Sequence, residues 1–185
     1  MDRPPIQPQR SVTGMSAVLL PHTTSGDISW PEFEKHVART ASAGLTPAVN
    51  MDTGYVQLLE PDTALRVLDL TSEVTHGDFV AGAYVADRPG TPFEERAYVK
   101  AATAIATRGG TPVLFPSHGL NALDDADWVA AQAAVGRELD SFIGFELGSM
   151  FVPYGRIYSL TAYEGLMSIP SASAPSTPRS PELKS

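Results

Sequence analysis

The sequence predicts an α/β fold of five βα units in series, and three observations carry that prediction. Short apolar runs alternate with longer helical stretches, turn residues separate the two, and the runs lack the polar alternation of a half-exposed strand. Strands of that kind suit a parallel sheet covered on both faces. A length of 185 residues with 43% hydrophobic content is enough to enclose one core.

The strands are read, in order, at Met15 to Leu20, Thr46 to Met51, Phe79 to Val85, Pro112 to Phe115 and Phe142 to Leu147. Between them, helices are read at Trp30 to Ala43, Pro61 to Thr75, Pro92 to Thr107 and Asp124 to Leu139, with a shorter one at Ser159 to Met167. Prolines in first turns and acidic residues near the starts mark their N-termini. In the first helix Phe33, Val37 and Ala41 share a face, and in the second Leu65, Leu68 and Ser72 do, so each can cover a sheet. Gly109-Gly110 reads as a helix-to-strand turn. Five such units fit either an open doubly wound sheet or part of a (β/α)₈ barrel, and periodicity does not separate the two. A nucleotide fold has no support, because Leu20-Pro21-His22-Thr23-Thr24 stands where a glycine-rich phosphate loop would follow the first strand.

Composition excludes several functions. A net charge of −8, with 13 basic residues scattered among 21 acidic ones, argues against a nucleic-acid partner. Without cysteine there are no disulfides, thiolate metal sites or cysteine nucleophiles. No apolar run approaches the roughly 20 residues of a membrane span, so a cytoplasmic protein is the expectation. Residues 1–11, with Pro4, Pro5 and Pro8, read as a flexible arm, residues 12–170 as the folded part, and residues 171–185 as a Ser/Pro-rich disordered tail.

The loops carry a resemblance. Thr13-Gly14-Met15-Ser16-Ala17-Val18-Leu19-Leu20-Pro21, followed by Gly26-Asp27-Ile28-Ser29 and a helix ending Ala43-Gly44, resembles the first βα unit of the dihydrodipicolinate synthase/N-acetylneuraminate lyase family. Asn50-Met51-Asp52-Thr53-Gly54-Tyr55 is similar to that family's Gly-Thr-Thr-Gly-Glu loop, with Thr53 and Gly54 matching literally. Phe115-Pro116-Ser117-His118 stands where the family has Pro-Tyr-Tyr, and Val152-Pro153-Tyr154-Gly155-Arg156 is similar to its Val-Pro-x-Arg. The resemblance implies a (β/α)₈ barrel, of which this chain is a partial one of about five units. It also implies a lyase or aldolase acting on pyruvate or another small 2-oxo acid through a lysine at the end of the sixth strand, with no further cofactor. Such a barrel takes about 250 residues. The expectation is therefore a chain truncated before that strand and inactive alone.

The same resemblance assigns candidate residues. Thr53 inherits contact with the substrate carboxylate and part of a proton relay, beside Asp52. The relaying tyrosine after the fourth strand falls on His118, an imidazole able to shuttle protons near neutrality. Met150 stands at the position of the tyrosine expected after the fifth strand, leaving Tyr154 or Tyr158 as substitutes. Arg156 matches the arginine that grips a distal carboxylate. No lysine suits a Schiff base: Lys35 and Lys100 fall in mid-helix and Lys184 in the tail. Polar groups at strand ends, namely His22, Asp52, Asp87, His118 and Glu146, should share one rim. A second reading makes Asp52, His118 and Glu146 ligands of a divalent metal in an aldolase or hydrolase. A third is a half-barrel without enzymatic activity that associates with itself or a partner through open sheet edges.

Overall fold

A computed structural model describes residues 13–172; the expected arm at 1–11, Lys184 and the tail beyond Ala172 lie outside the described residues. Five parallel strands run in the order β1-β2-β3-β4-β5: β1 Met15–Ala17, β2 Thr46–Val49, β3 Val80–Ala83, β4 Thr111–Leu114 and β5 Ile143–Gly144. Helices α1 Trp30–Ser42, α2 Pro61–Thr75, α3 Glu95–Ala106, α4 His118–Asn121, α5 Asp125–Gly136 and α6 Leu160–Met167 connect and flank them. Sequential neighbours in one direction, with helices as crossovers, are the arrangement of a partial (β/α)₈ barrel.

Register sorts the side chains into two layers. Ala17, Ala48 and Val80 stand side by side, as do Gly82, Val113 and Ile143. Ala48, Val80, Val113 and Phe115 form the inner cluster of the curved sheet, with Val56 folded over them and Tyr84, Ile143 and Phe145 at its margin. The alternate residues Val49, Ala81, Ala83 and Leu114 face the helices in the larger core. Gly82 is required here: a Cβ would overlap the carbonyl oxygen of Asn50 and stand 3.1 Å from the Phe115 ring.

The helices differ from the sequence reading in which faces they bury. In α1, Phe33 and Val37 are buried as expected, but Thr40 completes the stripe in place of Ala41, its hydroxyl donating to the His36 carbonyl at 3.0 Å. In α2, Val67, Leu68 and Thr71 are buried, whereas Leu65 is 40% exposed. Ser72 instead donates to the Arg108 carbonyl at 2.6 Å, tying α2 to the α3–β4 turn. Two helical stripes one residue apart are almost equally apolar, and contact with the twisted sheet selects between them. At that turn Gly109 has φ +85°, and a Cβ there would lie 2.8 Å from the Cα of Gly77, so the glycine pair is the turn expected of it.

Helix α3 begins at Glu95, three residues after the expected start, because Pro92 lies against α4: a Cβ on Gly119 would come within 2.7 Å of the Pro92 carbonyl. Asp124 caps α5 by accepting from the Asp127 amide at 2.9 Å, and Ser159 caps α6 by accepting from the Ala162 amide at 3.1 Å. Leu166 of α6 packs where a side chain on Gly144 of β5 would stand. After α6 the chain returns to the sheet: the Phe142 amide donates to the Ser171 carbonyl at 2.8 Å, and Phe142 pairs in parallel with Ala172. No helix among the described residues is long and apolar enough to cross a membrane.

Candidate active site

The C-terminal ends of the five strands make one rim, and each end bends for a local reason. After β1, His22 pairs with Ile28 in a small antiparallel bridge and its Nδ1 donates to the Gly26 carbonyl at 3.0 Å, so it secures the β1–α1 loop. After β2, Asn50 adopts φ +51° and its side-chain amide donates to the Ala64 carbonyl at 3.1 Å. That turn launches a 3₁₀ segment, Asp52–Gly54, ended by Tyr55 at φ +54°. Thr53 is exposed there and Asp52 half-buried.

The tightest convergence joins the ends of β3 and β4. Both carboxylate oxygens of Asp87 are used: Oδ1 accepts from the His118 amide at 2.9 Å and Oδ2 from the Gly119 amide at 2.7 Å. With Ser117 accepting from the Leu120 amide at 3.2 Å, these bonds fold residues 118–121 into α4, a helical turn where the sequence reading has only a loop. The His118 ring packs on Tyr154, centroids 4.4 Å apart. Desolvation pushes Tyr154 up to about 12, with Tyr84 and the Asp87 carboxylate adding to the effect. Tyr84 is raised as well, by burial first and then by Asp87. Both phenols therefore hold their protons through the neutral range. Phe115 and Phe145, stacked at 4.9 Å, extend the inner apolar cluster beneath the rim.

Other candidates are engaged elsewhere. Glu146 accepts from the Tyr158 amide at 2.8 Å and from the Tyr163 hydroxyl at 2.9 Å. Among the described residues no three His, Asp or Glu side chains converge closely enough to hold a metal ion. Asp52, His118 and Glu146 are thus not a metal site: Glu146 is drawn towards α6, and Asp87 fixes the His118 backbone beside Tyr154.

Arg156 is not a free fork for a substrate carboxylate. Its Nη1 donates to the Leu123 carbonyl at 2.6 Å and the Asn121 carbonyl at 3.3 Å, and its Nη2 to Asp125 Oδ1 at 3.0 Å. It clamps the β5–α6 loop onto the α4–α5 junction. Asn121 assists from the other side: its Nδ2 donates to the Tyr154 carbonyl at 2.8 Å and its Oδ1 accepts from the Tyr158 hydroxyl at 2.8 Å. Of the two substitute tyrosines, Tyr158 is buried against Trp128, ring centroids 4.3 Å apart, and Tyr154 reaches the rim. Met150, 87% exposed, joins neither.

Sequence reasoning missed Tyr84 and Asn121. Tyr84 was within reach, since it continues the inward alternation Val80-Gly82-Tyr84. Asn121 had no signal, because its role depends on loops 33 and 37 residues away. Lys35 pairs with Glu32 at 2.7 Å on the outside of α1, and Lys100 is exposed on α3, so neither reaches the rim.

No protein-family model matches the chain, and neither does any curated protein. Solved structures do match its fold. Dihydrodipicolinate synthase from Rhodopseudomonas palustris superposes with a TM-score of 0.67 at 13% identity, over 88% of this chain and 52% of that one. For dihydrodipicolinate synthase from Bacillus clausii the values are 0.63 and 16%, over 86% and 51%. For the sialic acid aldolase of Ruminococcus gnavus they are 0.64 and 14%, over 86% and 52%. The chain spans about half the length of the structures it matches.

Proposed function

We propose that this chain carries the first five βα units of a lyase or aldolase barrel of the dihydrodipicolinate synthase/N-acetylneuraminate lyase kind. On this reading it holds part of a pocket for pyruvate or another small 2-oxo acid and is catalytically inactive alone. The observation that carries the reading is the His118–Tyr154 pair at the strand-end rim, above an apolar floor and beside the backbone-fixing Asp87.

The chemistry follows from the protonation states. A phenol raised to about 12 is a hydrogen-bond donor at neutral pH, and His118, packed against it, is its partner in the proposed relay. Tyr154 would donate to the carbonyl oxygen of a 2-oxo acid, while the Thr53 hydroxyl, on the neighbouring loop, would donate to its carboxylate. Arg156 serves by holding the loop that carries Tyr154. Among the described residues no lysine reaches the rim: Lys35 pairs with Glu32 on the outside of α1 and Lys100 is exposed on α3.

Pyruvate titration followed by NMR tests the pocket. Millimolar pyruvate should shift the His118 ring signals of the wild-type chain, and Tyr154→Phe should weaken that response several-fold. An unchanged spectrum at saturating pyruvate would overturn the proposal.

A further inference from the structure

We infer that Tyr84 is a further binding residue of the pocket, its phenol donating to the ligand's carboxylate, so that the neutral hydroxyls of Thr53, Tyr84 and Tyr154 together hold the oxygens of a 2-oxo acid. The inference rests on the pocket proposed above and adds to it a residue and the atom that residue meets.

The six tyrosines divide by what their hydroxyls do. Tyr98 donates to the Phe115 carbonyl at 2.7 Å, Tyr158 to Asn121 Oδ1 at 2.8 Å and Tyr163 to Glu146 Oε2 at 2.9 Å, so these three are tied into the scaffold. Tyr55 is 63% exposed on the β2–α2 loop. Tyr84 and Tyr154 are half-buried, and neither hydroxyl has a hydrogen-bond partner among the described residues. A partly desolvated phenol without an acceptor costs stability, and folded chains pair such groups where they can. Two of them at one rim are donors kept for a ligand.

Strand order places Tyr84 among the residues already assigned to the pocket. Gly82 stands beside Val113 and Ala83 beside Leu114, so Tyr84 comes next on the inner face, at the level of Phe115. Its ring packs at the margin of the inner apolar cluster. Strand β3 lies between β2, whose loop carries Thr53, and β4, whose end carries His118 against Tyr154. Tyr84 and Asp87 both act on the Tyr154 phenol, which puts all three in one neighbourhood.

Charge explains why a neutral donor serves here. Arg156 is spent on the Leu123 and Asn121 carbonyls and on Asp125, and among the described residues no lysine reaches the rim. Asp87 is a carboxylate beside both phenols, but its two oxygens accept from the His118 and Gly119 amides, which offset its charge. A ligand carboxylate entering this rim is therefore met by hydroxyls, and a hydroxyl bond to an anion is stronger than one to a neutral acceptor.

Two ligands on one variant test this. Tyr84→Phe keeps the ring in its apolar seat and removes only the hydroxyl. Pyruvate, and methyl pyruvate, which lacks the free carboxylate, are each titrated by NMR against the 185-residue chain and the variant. Tyr84→Phe should weaken pyruvate by about fivefold or more and methyl pyruvate by less than about twofold. Tyr154→Phe, which loses the donor to the keto oxygen common to both ligands, should weaken both. The ratio between ligands is taken on a single protein, so a general loss of fold does not imitate it. Equal weakening of the two ligands by Tyr84→Phe, or a pyruvate response unchanged from wild type, would overturn the inference and leave the pocket standing. Silence of the wild-type chain towards pyruvate would overturn both.

Discussion

Arg156 offers the sharpest test of how the rim is built, because the sequence reading makes it a substrate-gripping arginine and the structure makes it a clamp. Arg156→Ala removes a charged donor from the Leu123 carbonyl at 2.6 Å, the Asn121 carbonyl at 3.3 Å and Asp125 at 3.0 Å. Hydrogen bonds from a charged group contribute roughly 1.5–3 kcal/mol each when well formed, and an ion pair this exposed under about 1 kcal/mol. The long Asn121 contact adds little, and solvent at the site lowers the sum, leaving a loss of about 2–3 kcal/mol. In a domain of this size that is roughly a 5–10 °C fall in Tm. Arg156→Lys, whose single ammonium lacks the planar fork, should recover less than half of it. Urea denaturation followed by tryptophan fluorescence reads the change through Trp128, which packs on Tyr158. A loss below about 0.5 kcal/mol for Arg156→Ala would show a surface arginine with no structural duty and refute the clamp.

Three further outcomes follow from the packing. Gly82→Ala should cost upwards of about 3 kcal/mol, since its methyl group would overlap the Asn50 carbonyl; a midpoint within 1 M urea of wild type would contradict that geometry. Gln132 is buried with both amide atoms unpartnered, so Gln132→Met should stabilise the chain by about 1–2 kcal/mol, and destabilisation would mean that the amide has a partner such as an internal water. Burial pushes Tyr158 from its ordinary 10 up to about 12, so the unfolded chain gives up this proton first as pH rises. The resulting stability is complete below pH 10 and lost between 10 and 12, at most about 3 kcal/mol. Denaturation midpoints at about pH 9 and 11 should show that fall, and a flat profile would contradict it.

Much of the fold was legible because parallel strands buried on both faces leave apolar runs that local turn chemistry separates cleanly. Strand positions came through, although the regular pairing is shorter than the apolar run in every strand but β4, with β5 reduced to Ile143–Gly144. Helix faces were less legible: Ala41 against Thr40, and Leu65 against Val67, differ by one or two residues in a stripe, and only the sheet chooses. The site was legible as a set of strand ends and not as a set of partnerships. His118 and Tyr154 do meet, whereas Glu146 turns to Tyr163 and Arg156 to Leu123 and Asp125. Those pairings join residues 17 or more apart in the chain, and nothing local in the sequence encodes them.

The central claim is that this chain presents a 2-oxo acid pocket without its amine. Borohydride reduction in the presence of pyruvate, read by intact mass, tests it most directly. The account predicts no added mass on the 185-residue chain. A stable adduct mapped to Lys35 or Lys100 would contradict it and place a nucleophile where the structure shows a solvent-exposed helix.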